Sequence, residues 1–309
     1  MGQRAYFVFG LLVTLLGSLL SSASVSAADT RTDTRTVRGE IGEVTLTGTP
    51  TRIVALEFSF VDAMAAVGVA PLGIADDGKP ERLIPAVKAV VPTWHSVGSR
   101  YQPSLEAIAE LKPDLIIADL ERHSTIYQDL SRIAPTLVLK SRGETYQENL
   151  EAVITLAKAI NKSPEMAARL AQHRETMAAF KAEIQAPGTV QFAVLSERGM
   201  WMHGPASYAG SVLDSLGIKG PIPEQTEQAY IPTSLEQLLA ANPDWLLIGR
   251  YSEQTPLDEW QSSPMYSLLR AVKHDRVVEV SPGLWSLSRG MLAAEGMAEN
   301  ITKLLNSQL

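Results

Sequence analysis

The chain has 309 residues, long for one compact domain and sufficient for two. Hydrophobic residues make up 45% and charged residues 20%, the balance of a soluble globular protein, and a formal charge of -7 argues against nucleic acid or an anionic membrane surface as partner. There is no cysteine, which excludes disulfides, zinc–thiolate sites and thiol catalysis.

At the N-terminus, "MGQRAYF" carries one arginine and no acid. "VFGLLVTLLGSLL" is an apolar run too short to span a bilayer securely, and "SSASVSAAD" offers small residues at the positions a signal peptidase reads. Residues 1–27 are therefore expected to be a signal peptide, cleaved after Ala27 or Ala28. A retained membrane anchor is the alternative. A lipoprotein needs a cysteine at its new N-terminus, so the mature chain is expected to be free of a lipid anchor in a bacterial periplasm. The polar "DTRTDTRTVRGE" that follows is expected to fray.

"TRIVALEF" opens with a strand pattern, and "SFVDAMAAVGV" follows at helical spacing and ends near Gly68. "APLGIADD" reads as a second strand. "SVGSRYQPSLEAIAELKPDLIIA" holds a strand end, a loop, a helix capped by Ser104, a stop at Pro113 and a buried strand at Leu115–Ala118. "PTLVLK" is another strand. This alternation predicts α/β layers around mainly parallel sheets. "ETYQENLEAVITLAKAI" is helical. In "NKSPEMAARLAQHRETMAAFKAEIQAPG", Ser163 suits the N-cap, Pro164 the first helical position and Glu165 the positive end of the dipole. The rod should run roughly 22 residues, ~33 Å.

Beyond the rod, "TVQFAVLSE" and "DRVVEVSPG" read as strands, and "SYAGSVLDSLGI" and "RGMLAAEGMAENITKLLNS" as helices. The expected organisation is an N-terminal α/β lobe over 28–160, a linking helix over 161–187 and a C-terminal α/β lobe over 188–309. A ligand cleft should lie between the two similar lobes.

Two stretches align without a gap, "PSLEAIAELKPDLIIA" and "TSLEQLLAANPDWLLIG". Ser104 falls on Ser234, Glu106 on Glu236, Pro113 on Pro243 and Asp114 on Asp244. Helix capping accounts for the serines and aspartates. It accounts less well for the glutamates, which sit two residues past each cap, where the dipole contributes ~0.3–1 kcal/mol.

Together with the long helix and "RIVALEFSFVDAMAAVG", these units resemble the substrate-binding proteins of iron–siderophore and cobalamin ABC importers, over nearly the whole mature chain. "RHSTIYQDLSRIAPTLVLKSRGETYQENL" and "GSVLDSLG" are similar to the ferric-citrate subgroup of that family. The resemblance implies a monomeric protein, neither enzyme nor cofactor carrier, that passes a ferric chelate to an ABC permease dimer in the inner membrane. It also implies that one glutamate on each lobe docks into arginine pockets of the permease. By position these are Glu106 and Glu236.

A cleft between α/β lobes is built from loops at strand ends. Those loops carry Glu57–Phe60, Arg100, Arg122, His123 and Arg142 in the first half, and Arg198, Trp201, His203, Tyr208, Arg250, Trp285 and Arg289 in the second. Arginines recur there although the protein is acidic. A guanidinium fork suits carboxylates, and ferric citrate presents carboxylate oxygens around a hard ferric ion.

The expected ligand set is Arg100, Arg122, His123, Arg142, Trp201, His203, Tyr208, Trp285 and Arg289, with Arg198 and Arg250 second. No side chain is expected to ligate the metal directly. The plain alternatives are solvated surface charge for each arginine and a core position for each tryptophan. An enzyme is disfavoured because no "GxSxG", "HExxH", P-loop or dinucleotide fingerprint occurs. A direct metal-binding transport protein would need clustered His, Asp and Glu ligands. Another ferric siderophore, haem or cobalamin on the same fold stays open.

Overall fold

The structure is a computed structural model that describes residues 1–2, 33–185 and 188–306. The expected signal-peptide core and cleavage site lie outside the described residues.

β1 (Thr34–Arg38) and β2 (Glu43–Thr47) form an antiparallel hairpin. The stretch expected to fray is thus ordered from Thr34 on. Val37, Val44 and Leu46 alternate onto the buried face, a burial of about 1.5–3 kcal/mol per side chain. Arg35 also ties the strand down, donating to the carbonyls of Gly48 (2.6 Å) and Lys158 (2.8 Å). Polarity concealed this strand, because Val37 is the one apolar residue in Thr34–Arg38.

The first layer follows: β3 (Ile53–Ala55), α1 (Phe58–Ala65), β4 (Gly73–Ile74), α2 (Pro85–Val90), β5 (His95–Ser96), α3 (Leu105–Glu110), β6 (Leu115–Asp119), α4 (Leu120–His123), α5 (Tyr127–Ile133) and β7 (Thr136–Leu139). The strands pair in parallel in the order β5-β4-β3-β6-β7. β6 is buried along its whole length, as a central parallel strand covered on both faces must be.

α6 (Tyr146–Ala159) opens with a capping box between Thr145 and Glu148. α7 (Ser163–Glu183) is the long helix; Ser163 is its first residue rather than its cap, which is Lys162, whose side chain makes no capping bond. Its end at Glu183 precedes the two residues, 186 and 187, that are not described.

The second layer comprises β8 (Val190–Ser196), β9 (Gly199–His203), α8 (Tyr208–Ser215), β10 (Tyr230–Thr233), α9 (Leu235–Ala241), β11 (Trp245–Arg250), α10 (Pro256–Trp260), α11 (Arg270–Lys273) and β12 (Val277–Val280), closed by α12 (Met291–Asn306). The order is β10-β9-β8-β11-β12. β8, β11 and β12 are parallel, but β8–β9 and β9–β10 are antiparallel. "SERGMWMHG", read as a strand-end loop, is therefore a tight hairpin with Glu197 and Arg198 at its tip. It carries no Asn-Gly or Asp-Gly signal of the usual two-residue turn.

The repeated unit appears in both layers. Ser104 and Ser234 cap α3 and α9, accepting from the amides of Ala107 (3.2 Å) and Gln237 (3.3 Å). Asp114 and Asp244 do something else. Asp114 accepts from the amides of Thr51 (2.8 Å) and Arg52 (2.9 Å), ahead of β3, and Asp244 from the Thr189 amide (2.7 Å), ahead of β8. Each aspartate staples its unit to the strand beside it, a tertiary role that helix capping does not explain.

The described residues from Asp33 on belong to one compact unit. The inner faces of α1, α6, α7, α8 and α12 fill one apolar core that contacts both sheets, with Phe58, Met166, Phe192 and Trp285 among its members. Two smaller cores cover the outer faces, one around Ile108 and Leu130, the other around Leu238 and Leu269.

Candidate functional site: an arginine-lined cleft

In both layers the C-terminal strand ends face one cleft. In the first layer, two buried side chains shape its loops. Asp119, at the end of β6, accepts from the amides of Arg122 (2.9 Å), Ser141 (2.8 Å) and Arg142 (2.9 Å). His123 Nδ1 accepts from the Asp119 amide (2.9 Å), which leaves Nε2–H to donate to the Arg100 carbonyl (2.8 Å). Burial lowers the pKa of His123 and keeps the ring neutral for this role. The loops after β5, β6 and β7 are thereby fixed to one another.

Behind them lies Glu57, at the end of β3 and 0% exposed. Its carboxylate contacts the Arg122 guanidinium directly, with Arg289 at 3.0 Å and Arg100 at 3.7 Å. Asp77 binds Arg100 (2.7 Å) and Arg82 (2.6 Å). Arg142 pairs with Glu121 at 2.8 Å. Three of these guanidiniums lie over aromatic rings: Arg100 over Phe58 (4.3 Å), Arg122 over Tyr101 (4.3 Å) and Arg142 over Tyr230 (5.4 Å). Stacking uses the face of each guanidinium and leaves N–H edges available.

Arg289 enters from the second half of the chain, at the start of α12. Tyr208 holds the turn, donating to the Gly290 carbonyl (2.6 Å) and accepting from its amide (3.0 Å). Gly290 has φ 137°, and a Cβ there would stand 2.3 Å from the Asp62 carboxyl. Only glycine fits. Asp62, on α1, in turn caps α12 by accepting from the amides of Leu292 (3.1 Å) and Ala293 (2.9 Å). Burial pushes its pKa up to about 7.

Arg289 donates to Ser141 Oγ (3.2 Å), and its Nε stands 3.8 Å from Glu144. Burial lifts the Glu144 pKa to about 8, so at neutral pH this acid is mostly protonated.

The cleft is a cavity of about 810 Å³. Arg82, Arg100, Arg122, Arg142, Arg198 and Arg289 line it, with Tyr101, Trp201, His203, Tyr230 and Tyr251 among the others. Against six guanidiniums stand the ion-paired carboxylates of Glu57, Asp77 and Glu121 and the buried carboxylate of Asp119, which leaves positive charge in excess. Arg198 has no acidic partner among the described residues.

His203 is driven down to about 3 by burial, so it stays neutral, edge-on to Phe192 (4.7 Å) and Tyr230 (4.9 Å). Arg122 Nε, Arg289 Nε and His203 Nδ1 are buried without a hydrogen-bond partner. Among the described residues no group of three or more His, Asp and Glu is placed to hold a metal ion. A second cavity of about 830 Å³ lies behind His203, lined by apolar groups such as Val190, Leu213 and Ile218. Its one cation, Lys219, is already paired with Asp214 and Glu224 at 2.7 Å each. Anion chemistry therefore belongs to the arginine cleft.

Of the residues expected to meet a ligand, Arg100, Arg122, Arg142, Trp201, His203 and Arg289 line the cleft, and Arg198 joins them. His123, Tyr208 and Trp285 do not. The first two hold loops, as described. Trp285 is 1% exposed, packs on Phe192 (5.4 Å) and donates to Asn300 (2.9 Å). Arg250 is engaged by Glu279 (2.9 Å) and Asp258 (3.3 Å) away from the cavity. Sequence reasoning missed Arg82, Tyr101, Tyr230, Tyr251 and Glu144. Tyr101 was the accessible one, adjacent to Arg100; Tyr230 required the hairpin to be recognised. Glu106 and Glu236 are exposed, one residue into α3 and α9, and neither forms an ion pair among the described residues.

A family profile described as periplasmic binding protein matches residues 53–283. The chain belongs to that family. It is 46% identical over 274 residues to the Fe(3+) dicitrate-binding periplasmic protein FecB of Escherichia coli (strain K12), covering 88% of this chain and 91% of FecB. It is 39% identical over 269 residues to the Fe(3+)-citrate-binding protein YfmC of Bacillus subtilis (strain 168), covering 86% and 84%. In fold it is similar to Staphylococcus aureus SirA complexed with staphyloferrin B, with a TM-score of 0.77, 24% identity, and coverage of 88% and 98%. Such relatives are substrate-binding proteins, and the two-lobed α/β architecture is common to them.

Proposed function

We propose that this chain captures ferric citrate in the periplasm and delivers it to the inner-membrane permease of an ABC importer. The observation that carries the reading is the excess of guanidiniums over carboxylates in a cleft that offers no metal-ligand cluster among the described residues. A ferric ion wrapped in citrate presents an anionic shell of carboxylate oxygens, so the protein needs N–H donors and no metal ligand of its own. The names of FecB and YfmC support the same ligand.

The reading has further parts. Residues 1–27 are a signal peptide removed on export. The lobes extend over 28–160 and 188–309, with 161–187 as the linking helix. The mature protein is a monomer without lipid anchor, cofactor or catalytic activity. Glu106 and Glu236 meet two equivalent basic sites on the permease dimer, a pseudo-symmetric pair against a symmetric one.

Purified chain starting at Asp29 should be titrated with ferric citrate, a ferric catecholate and a ferric hydroxamate, followed by tryptophan emission. Trp201 lines the cleft and provides the signal. Ferric citrate is expected to bind tightest by at least tenfold. Preference for the catecholate or hydroxamate, or no response to ferric citrate, would sink the assignment.

A further inference from the structure

We infer that Glu57 is a built-in counter-ion that sets the charge selectivity of the cleft, suppressing the binding of small free anions. The inference deepens the proposed function and rests on it for the identity of the ligand.

Glu57 does not line the cavity. It is wholly buried and touches guanidiniums from three elements: Arg100 after β5, Arg122 on α4 and Arg289 ahead of α12. Arg289 belongs to the second half of the chain, so this one carboxylate bridges the halves. Without it, three guanidiniums, each no more than 6% exposed, would face one another with only Asp77 and the mostly protonated Glu144 within ion-pair distance. Such an array would take any small anion as its missing partner. Citrate without iron and inorganic sulfate are such anions.

With Glu57 in place, an incoming anion meets arginines whose inner N–H groups are already engaged. A single small anion recovers little. A ligand large enough to span the cavity reaches outer edges of several arginines at once, Arg142 and Arg198 included. A ferric complex carrying more than one citrate has that reach and free citrate does not. The orphaned Arg122 Nε and Arg289 Nε show that Glu57 leaves part of each guanidinium unsatisfied, so the site is poised and not quenched.

The test compares wild type with Glu57→Gln and Glu57→Asp. Each is titrated with ferric citrate, iron-free citrate and sodium sulfate, and melting is recorded across sulfate concentration. Glu57→Gln keeps the shape and removes the charge. It is expected to bind iron-free citrate at least tenfold more tightly than wild type, and to narrow the preference for ferric citrate over citrate by the same factor. Its Tm in low salt should fall and be restored by millimolar sulfate, which leaves wild type unmoved.

Glu57→Asp keeps the charge but is one methylene too short to hold Arg122 and Arg289 together. It should shift citrate affinity the same way by about threefold, and it stands as the test if the Gln variant does not fold. A purely structural role predicts a lower Tm without sulfate rescue and no gain for citrate in either variant; that result would overturn the inference. The sulfate dependence does not involve iron. It therefore tests Glu57 even if wild type turns out to carry a different ferric chelate, in which case the proposed function fails and the counter-ion role stands or falls separately.

Discussion

The two walls of the cleft come from layers that share a helix–strand unit yet differ in what they offer. The first wall is an all-parallel sheet whose strand ends carry Arg100, Arg122 and Arg142, held by Asp119 and His123. The second wall turns antiparallel at β9 and β10 and presents Trp201, His203 and Tyr230. Four of the six guanidiniums belong to the first side, whereas the second sets Arg198 and Arg289 beside its aromatic surface. The repeat in the sequence thus marks the scaffold, while the site arises where the halves cease to be alike.

The contrast makes quantitative demands. Replacing Arg122 by Ala removes a desolvated cation and leaves Glu57 with Arg289 and Arg100 alone. Affinity for ferric citrate, read by fluorescence titration, should fall by roughly ten- to a hundredfold, about 1.5–3 kcal/mol. On the other wall, Trp201→Ala followed by isothermal titration calorimetry should cost only about three- to tenfold, the ~0.5–1.5 kcal/mol scale of an aromatic contact. Equal losses on the two sides would dissolve the distinction between a charged wall and a packing wall.

A subtler effect concerns pH. Glu144 ordinarily titrates at 4.5 and burial lifts it to about 8. The folded protein therefore holds this proton longer than the unfolded chain, and the stability it brings is complete below about 4.5 and is lost as pH rises through about 8. Once ionised, the carboxylate competes for Arg289, 3.8 Å away. Ferric citrate affinity of wild type should decline severalfold from pH 7 to pH 9, and Glu144→Gln, which stays neutral, should show a flatter profile. Parallel profiles would assign the decline to another group.

The smallest effect on binding is expected at the surface. Alanine at both Glu106 and Glu236 should leave stability and ligand affinity within ~0.5 kcal/mol, because both side chains are exposed and neither forms an ion pair among the described residues. Iron uptake in cells should fall all the same, and arginine at either position should be worse. Normal uptake by the double alanine variant would return the glutamates to a helix-end role.

Much of this architecture was legible from residues. Alternating apolar strands and helices, the Ser104 and Ser234 caps and the proline stops all produce local patterns, and each is observed where expected. Arginines at strand ends were legible too, because the cleft of such a fold lies there. Other features have no local signature. Thr34–Arg38 alternates too weakly to stand out as a strand, and the hairpin carrying Trp201 lacks the usual turn residues. Tyr208 and Trp285 sit beside cleft loops in sequence but point into the core, a direction set by the packing of α8 and α12. Asp114 and Asp244 act on strands about sixty residues away in the chain, beyond any window of periodicity.

The inner core filled by α1, α6, α7, α8 and α12 has a consequence for how the molecule is made. Phe58 of the first half and Trp285 of the second belong to one apolar cluster, and Asp62 of α1 completes the first turn of α12. Neither half can bury its inner face alone, so a fragment ending after α6 should remain molten, and co-expression with the complementary fragment should rescue both. A chain synthesised from its N-terminus must then be almost complete before any of it is safe from proteases. Its refolding should be a single cooperative event, with calorimetric and van't Hoff enthalpies that agree.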